Sequence, residues 1–383
     1  MDFSFNEEQL ELREVARGFL ADHSGSEQVR AGMASELGYD PQLWKQIGSE
    51  LGWTSVAIPE EYGGLGFGTV ELVALLEVMG ESLVCSPFFA SVGLAANAIL
   101  VAGEEGQKQA LLPGIAEGDT RATLAFSEAR GGWSADSVST TFEETDNGFL
   151  LEGTKRFVPD GHVADLLVVV ARRKGTSGQE GIALFAVPAT SPNLSRQRLP
   201  TMDSTSRQAE IQLDGVEVSS DARLGGESSS WEAVAQALDI AGICLAAEQT
   251  GGAQRCLDLA VEYAKEREQF GRPIGSFQAI KHKCADMMVQ VESARSAVYY
   301  AACAAAQGNA ELPVVASVAQ ATASDAFFGC AGDAIQIFGG VGFTWEYDIQ
   351  LYFKRARSSA VLLGDATYHR ELVAQRIGLG SPA

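Results

Sequence analysis

Three uninterrupted stretches of helical periodicity constrain the fold more than any other feature: Trp231 to Lys265, Phe277 to Gln307 and Leu312 to Phe338. A helix of about 30 residues is roughly 45 Å long, suited to a bundle that also supplies an oligomer interface. In the second stretch Phe277, Ile280, Cys284, Met287, Val291, Ala294 and Val298 follow three-and-four spacing. That spacing lays one continuous apolar stripe along the helix. With the apolar window Ala237 to Ala247, it is more apolar helix than a monomer with a net charge of −22 would bury, so an assembly is expected.

Upstream the period changes twice. Residues 1–120 read as helices: Glu8 to Leu20, a proline-initiated helix after Asp40 running to Leu51, then Thr69 to Met79, Phe88 to Leu100 and Gly106 to Ala116. From Arg121 short β-like runs take over, at Thr123 to Phe126, Gly148 to Leu151, Leu166 to Ala171, Ile182 to Val187 and Ala209 to Leu213. The turns between them are rich in Gly, Asn, Ser and Pro, which predicts a compact antiparallel sheet. A polar stretch at 225–230 precedes the return to helix. The expected fold class is mainly α with a central β domain. The expected segments are 1–120 (helical), 121–228 (β) and 229–383 (helical bundle).

Two turns carry the candidate chemistry. Arg267-Glu-Gln-Phe-Gly-Arg-Pro-Ile-Gly-Ser-Phe-Gln278 joins two long helices, broken by Gly271, Pro273 and Gly275. It presents a guanidinium (Arg267), an aromatic face (Phe270) and an amide (Gln278). Gln336-Ile-Phe-Gly-Gly-Val-Gly342 follows another apolar helix, and Gly339 and Gly340 let backbone N–H groups approach a ligand that a Cβ would keep away. A cation, an aromatic ring, two amides and a glycine turn suit the pyrophosphate and adenosine of a dinucleotide. Read from spacing alone, they equally suit two capped helix–helix connections.

The pair of turns resembles the carboxyl-terminal signature of the acyl-CoA dehydrogenase flavoprotein family. Pro59-Glu-Glu-Tyr-Gly-Gly-Leu-Gly66, Ser127-Glu128 and Gly153-Thr-Lys-Arg-Phe-Val158 extend the resemblance over nearly the whole chain. It implies an all-α domain, a β domain and a carboxyl-terminal four-helix bundle, with FAD as cofactor and an acyl-CoA thioester as substrate. It also implies that Arg267, Phe270, Gln278, Gln336, Gly339 and Gly340 grip the adenosine diphosphate half of a flavin held mainly by a neighbouring subunit.

The family reaction needs a carboxylate base beside the substrate α-carbon. Ungapped matching from Arg370 puts Leu363 where the family's loop glutamate belongs, and counting back from Arg267 puts Ala241 at the alternative position. Neither takes a proton. Asp365 is displaced by two residues and reads more simply as a helix N-cap. Asp239 points about 200° round the helix from Ala241. The segments expected over the flavin ring also depart from the pattern, as Ser127-Glu-Ala-Arg-Gly-Gly-Trp-Ser-Ala-Asp136 and Phe157-Val-Pro-Asp160, where Pro159 removes an N–H donor. This asymmetry, with Leu362-Leu-Gly-Asp-Ala-Thr-Tyr-His-Arg370, is similar to the base-less subunit of actinobacterial steroid side-chain acyl-CoA dehydrogenases, which are α2β2 heterotetramers. The resemblance implies a glutamate-bearing partner chain. Two alternatives stand beside it: a self-sufficient homo-oligomeric dehydrogenase using Asp365 or another acid, and a non-catalytic interaction protein that kept the fold.

The charge balance argues against nucleic acid or an anionic membrane as partner, while leaving room for a local basic cluster such as Lys265, Arg267 and Arg272. Six cysteines without a paired spacing point to reduced thiols and a cytoplasmic location, and no metal site is expected. The amino terminus lacks a signal-peptide apolar block. The window Ala237 to Ala247 is too short to span a bilayer and contains Asp239.

Overall fold

The computed structural model describes residues 6–379. The helices, in chain order, are α1 (Glu7–His23), α2 (Ser26–Ala34), α3 (Pro41–Lys45), α4 (Thr69–Glu81), α5 (Asn97–Ala102) and α6 (Glu105–Ala116). The strands β1 (Ala122–Ala125), β2 (Thr141–Thr145), β3 (Gly148–Pro159), β4 (Leu166–Arg173), β5 (Ile182–Pro188), β6 (Leu194–Arg198), β7 (Gln208–Ser219) and β8 (Arg223–Leu224) follow. Helix α7 (Trp231–Glu266), the short strands β9 (Glu268–Gln269) and β10 (Arg272–Pro273), and α8 (Gln278–Ala306), α9 (Leu312–Phe338), α10 (Ile349–Ser359) and α11 (Ala366–Arg376) complete the chain. Two compact units result. One contains residues 1–31, 69–84 and 242–383; the other contains 32–68 and 85–241, with the boundary inside α7.

In the first unit α9 packs against α8, α10 and α11, and α4 packs against α1 and α8. Helices α4 and α7 cross at glycine: a Cβ on Gly80 would lie 2.0 Å from the Glu248 carbonyl oxygen, and one on Gly251 would lie 1.8 Å from that of Glu77. No side chain fits at either position. Glu77 is buried between Arg13 and Arg295, at 2.8 and 2.9 Å, which ties α1 and α8 to α4. Helix α9 is long and apolar enough to cross a membrane, yet half of that window is buried within the fold, as a bundle core requires.

The second unit centres on an eight-stranded sheet of order β6-β7-β3-β2-β4-β5-β8, with β1 beside β4. The expected sheet was antiparallel; this one is mixed, because β4 runs parallel to both β1 and β2. Neither β1 nor β2 is joined to β4 by a hairpin, since β2 and β3 intervene in the chain, and only a hairpin enforces antiparallel pairing. Three strands in this region escaped the pattern. Strand β2 has one buried apolar residue, Phe142, and β6 is a charged edge strand, so neither alternates. Strand β8 spans only two residues. Strands β3 and β7 run longer than their apolar runs, with register shifts at Leu151/Glu152 and Lys155/Val158. The core gathers Phe142, Phe149 and Phe185 edge to face, at 4.9 to 5.7 Å.

Candidate functional site

The last turn of α7 sets the first candidate turn. The Arg267 N–H donates to the Tyr263 carbonyl, and the Ile274 N–H returns to the Arg267 carbonyl, both at 2.8 Å. Between them β9 and β10 form a hairpin whose two central residues, Phe270 and Gly271, have φ of 56° and 77°. Both belong to a two-residue turn that matches strand twist, at a steric cost for phenylalanine that glycine does not bear. That strained Phe270 is 91% exposed. Its ring meets Phe277 edge-on at 6.0 Å, and the Arg272 guanidinium lies 4.2 Å over Phe277. Gln278 opens α8, its amide 3.4 Å from His282 Nε2. The hairpin sits close on α7, since a Cβ on Gly275 would come within 2.9 Å of the Ala264 carbonyl oxygen.

The second turn begins where α9 stops. Gly339 adopts φ 65°, ψ −143°, a conformation essentially closed to side chains. Gly340 has no such constraint, and a Cβ there would meet nothing within 4 Å among the described residues. The two turns rise from a common aromatic base: Tyr263 stacks on Phe338 at 4.2 Å, and both meet Tyr347 edge-on. The structure thus brings the two stretches to one end of the first unit.

All four polar or aromatic candidates, Arg267, Phe270, Gln278 and Gln336, are exposed. The side chains of Arg267 and Gln336 make no hydrogen bond or ion pair among the described residues. This donor set fits the diphosphate end of a dinucleotide: an uncommitted guanidinium, an open ring, amides, and a backbone turn clear of side chains. It is an open surface. A cavity of about 500 Å³ in the same unit, and one of about 780 Å³ in the other, are lined by none of these residues.

The catalytic candidates are arranged quite differently. Leu363 is buried, with φ 61°, and its carbonyl accepts from His369 Nε2 at 3.0 Å. Burial pushes the His369 imidazole down to about 4, so it holds the loop as a neutral donor. Ala241 is fully buried. Asp365 is exposed and caps α11, its Oδ1 accepting from the Tyr368 N–H at 2.8 Å. Asp239 is half-buried on α7.

In the β domain, Glu128 and Lys155 form a buried pair at 2.7 Å. Ser139 and Thr140 N–H groups and the Ser139 hydroxyl also donate to the carboxylate, and Lys155 donates to the Phe126 carbonyl. Burial alone would raise the Glu128 carboxyl; the ammonium and these donors outweigh it and hold it at about 2. Sequence reasoning quoted both residues without pairing them. It also passed over the placement of Trp133, whose indole stacks on Phe126 at 5.3 Å. The signal was there in principle, as a large ring inside a Gly-rich polar segment.

Residues 6–119, 123–216 and 230–378 match, in turn, the family descriptions "Acyl-CoA dehydrogenase, N-terminal domain", "middle domain" and "C-terminal domain". The chain belongs to the acyl-CoA dehydrogenase family. Its members are FAD-dependent oxidoreductases. Acyl-CoA dehydrogenase IpdE2 of Mycolicibacterium smegmatis is 36% identical over 359 residues, covering 94% of this chain and 95% of that protein. The crystal structure of the ChsE4-ChsE5 complex from Mycobacterium tuberculosis superposes with a TM-score of 0.90 at 29% identity, covering 100% of both chains. The Tcur3481-Tcur3483 steroid ACAD, solved as a variant, gives 0.87 at 33% identity, covering 97% of this chain and 98% of that one.

Proposed function

We propose that this acyl-CoA dehydrogenase chain works as one subunit of a hetero-oligomer, lending Arg267, Phe270, Gln278, Gln336, Gly339 and Gly340 to a FAD whose catalytic glutamate belongs to a partner chain. The observation that carries this reading is the loop 361–365. An apolar, buried Leu363 stands where the ungapped match puts the base, and the carboxylate two residues on, Asp365, is committed to a helix cap. The open surface of the diphosphate candidates supports it, because a grip with no covering layer of its own suits a cofactor seated in another chain. When bound, FAD supplies the hydride acceptor for α,β-dehydrogenation of the acyl thioester. The residues named here bind and orient its diphosphate end; the Arg267 guanidinium neutralises charge, and the Gly339–Gly340 backbone offers donors.

The substrate class we assign is a steroid side-chain acyl-CoA, supported by the steroid ACAD among the similar structures. A cytoplasmic location is assigned as well, consistent with six free cysteines. The test is co-expression with a family member that carries the glutamate. One FAD should be recovered per pair of unlike chains. Arg267→Ala should lose a charge-assisted contact of roughly 1.5–3 kcal/mol, weakening FAD about 10- to 150-fold. Full turnover by the purified chain alone refutes the reading.

A further inference from the structure

This acidic chain carries a compact basic cluster in its second unit, well outside the residues considered so far. On β6, Arg196 and Arg198 sit opposite Ile211 and Ala209 of β7, so their side chains share one face of the sheet. Arg207, two residues before Ala209, falls on that same face by the strand alternation. The loop 160–164 crosses it: Arg196 donates to the carbonyls of Gly161 and Ala164, and the Asp160 N–H donates to the Arg207 carbonyl. His162 therefore stands among three arginines.

Residues 33–38 close the other side. His162 Nε2 donates to the Leu37 carbonyl at 3.0 Å, and the Arg207 guanidinium reaches the Met33 carbonyl. Gly38, with φ 81°, makes room for that arginine, since a Cβ there would lie 2.4 Å from Arg207 Cγ. A glycine and an arginine are thus matched, and Arg207 as a whole is only 8% exposed.

The seat is incomplete. Arg207 Nε and His162 Nδ1 are both buried without a hydrogen-bond partner. Arg198 is exposed and makes no hydrogen bond or ion pair among the described residues. None of the three arginines lies within ion-pair distance of a carboxylate there. Asp203 is occupied by the N–H and hydroxyl of Thr205, at 2.8 and 2.6 Å. Asp203 and Asp160 act on Arg207 from beyond ion-pair distance. A buried N–H donor without a partner and three clustered guanidiniums call for an anion.

We infer that Arg207, Arg198, Arg196 and His162 form a binding site for an oxyanion of the phosphate class. Arg207 Nε–H and the free Arg198 guanidinium supply donors, and Arg196 adds field. The charged groups facing His162 are Arg196 and Arg198 from β6 and Arg207 from the lead into β7, with Asp160 and Asp203 acting in turn on Arg207. Burial, with the three arginines, holds the imidazole below its ordinary value. An arriving anion cancels that field, so His162 takes up a proton at Nδ1 and becomes a second donor. Binding should therefore tighten as pH falls. The phosphate can belong to a free metabolite or to the coenzyme A ester. The site itself does not depend on the subunit reading.

Isothermal titration of the intact assembly with inorganic phosphate tests the site. Arg198→Ala, an exposed change that leaves the fold alone, should weaken phosphate about tenfold or more, and Arg207→Gln should abolish binding. Lys174→Ala, an equal loss of charge in the turn after β4, should have no effect. Sulfate, whose charge is constant between about pH 6 and 8, should bind tighter at the lower pH in wild type and not in His162→Gln. Displacement of phosphate by coenzyme A but not by its 3′-dephospho form identifies the substrate tail as the source; displacement by neither identifies a free metabolite. Equal affinity in wild type, Arg198→Ala and Arg207→Gln, or no phosphate binding at all, overturns the proposal.

Discussion

Asp365→Asn separates the two catalytic readings. In the structure Asp365 Oδ1 accepts from the Tyr368 N–H at 2.8 Å in an exposed position at the start of α11. Asparagine caps about as well as aspartate, whereas alanine at an N-cap costs about 0.5–2 kcal/mol. If capping is the whole role, Asp365→Asn in the reconstituted assembly should keep a third or more of wild-type turnover, with an unchanged denaturant midpoint. Asp365→Ala should shift that midpoint while leaving the assembled enzyme active. A general base contributes about 10²–10⁴-fold to the rate, so its loss would be unmistakable in a dye-reduction assay. Turnover abolished by Asp365→Asn, with the partner's glutamate dispensable, would make this chain the catalyst and refute the argument.

Further outcomes follow from other parts of the molecule. Gly340→Val should fold normally, because a Cβ there meets nothing within 4 Å among the described residues, yet lose FAD on gel filtration; Gly339→Val should destabilise the fold itself, since its backbone conformation excludes a side chain. Lys155→Met leaves the Glu128 carboxylate buried and unpaired, and should cost about 3–5 kcal/mol by urea unfolding, with the added change Glu128→Gln recovering part of it. Glu128 is held at about 2 against an ordinary 4.5. Its contribution is therefore complete above about pH 4.5 and lost as the pH falls toward 2, and Glu128→Gln should flatten that part of the stability profile.

Periodicity made the long helices legible, because α7, α8 and α9 carry apolar stripes that no strand could satisfy, although the α8 stripe is buried only from Met287 onward. It failed where tertiary context overrides pattern. Strand β2 is specified by its neighbours β3 and β4 and has only Phe142 facing the core. Strand β6 is polar because it is an edge. Residue identity named the two candidate turns, and capping chemistry named the role of Asp365. Neither shows what three-dimensional placement shows: that Tyr263 and Phe338 bring the two turns to a shared base. The pairing of Glu128 with Lys155 was equally hidden, since 27 positions separate them and only the strand geometry closes the gap.

The exposure of Phe270 bears on where the rest of the site lies. Within this chain the ring gains one edge contact, with Phe277, while its backbone sits at a φ that glycine adopts without strain and phenylalanine does not. An aromatic ring that is 91% exposed at the tip of a hairpin contributes almost nothing to the fold of the isolated chain. The same holds for Gly340, whose missing side chain makes room for nothing among the described residues, and for Arg267, whose guanidinium has no partner among them. Three positions in two turns thus carry a cost or a vacancy that intrachain packing does not explain. The proposed FAD contact accounts for each, as a ligand that stacks, approaches the backbone and brings negative charge. Leu363 presents the opposite case: its side chain is buried and its carbonyl is bonded to His369. One region is finished without a partner and the other is not; under the proposed subunit reading, the chemistry missing from the first arrives with whatever completes the second.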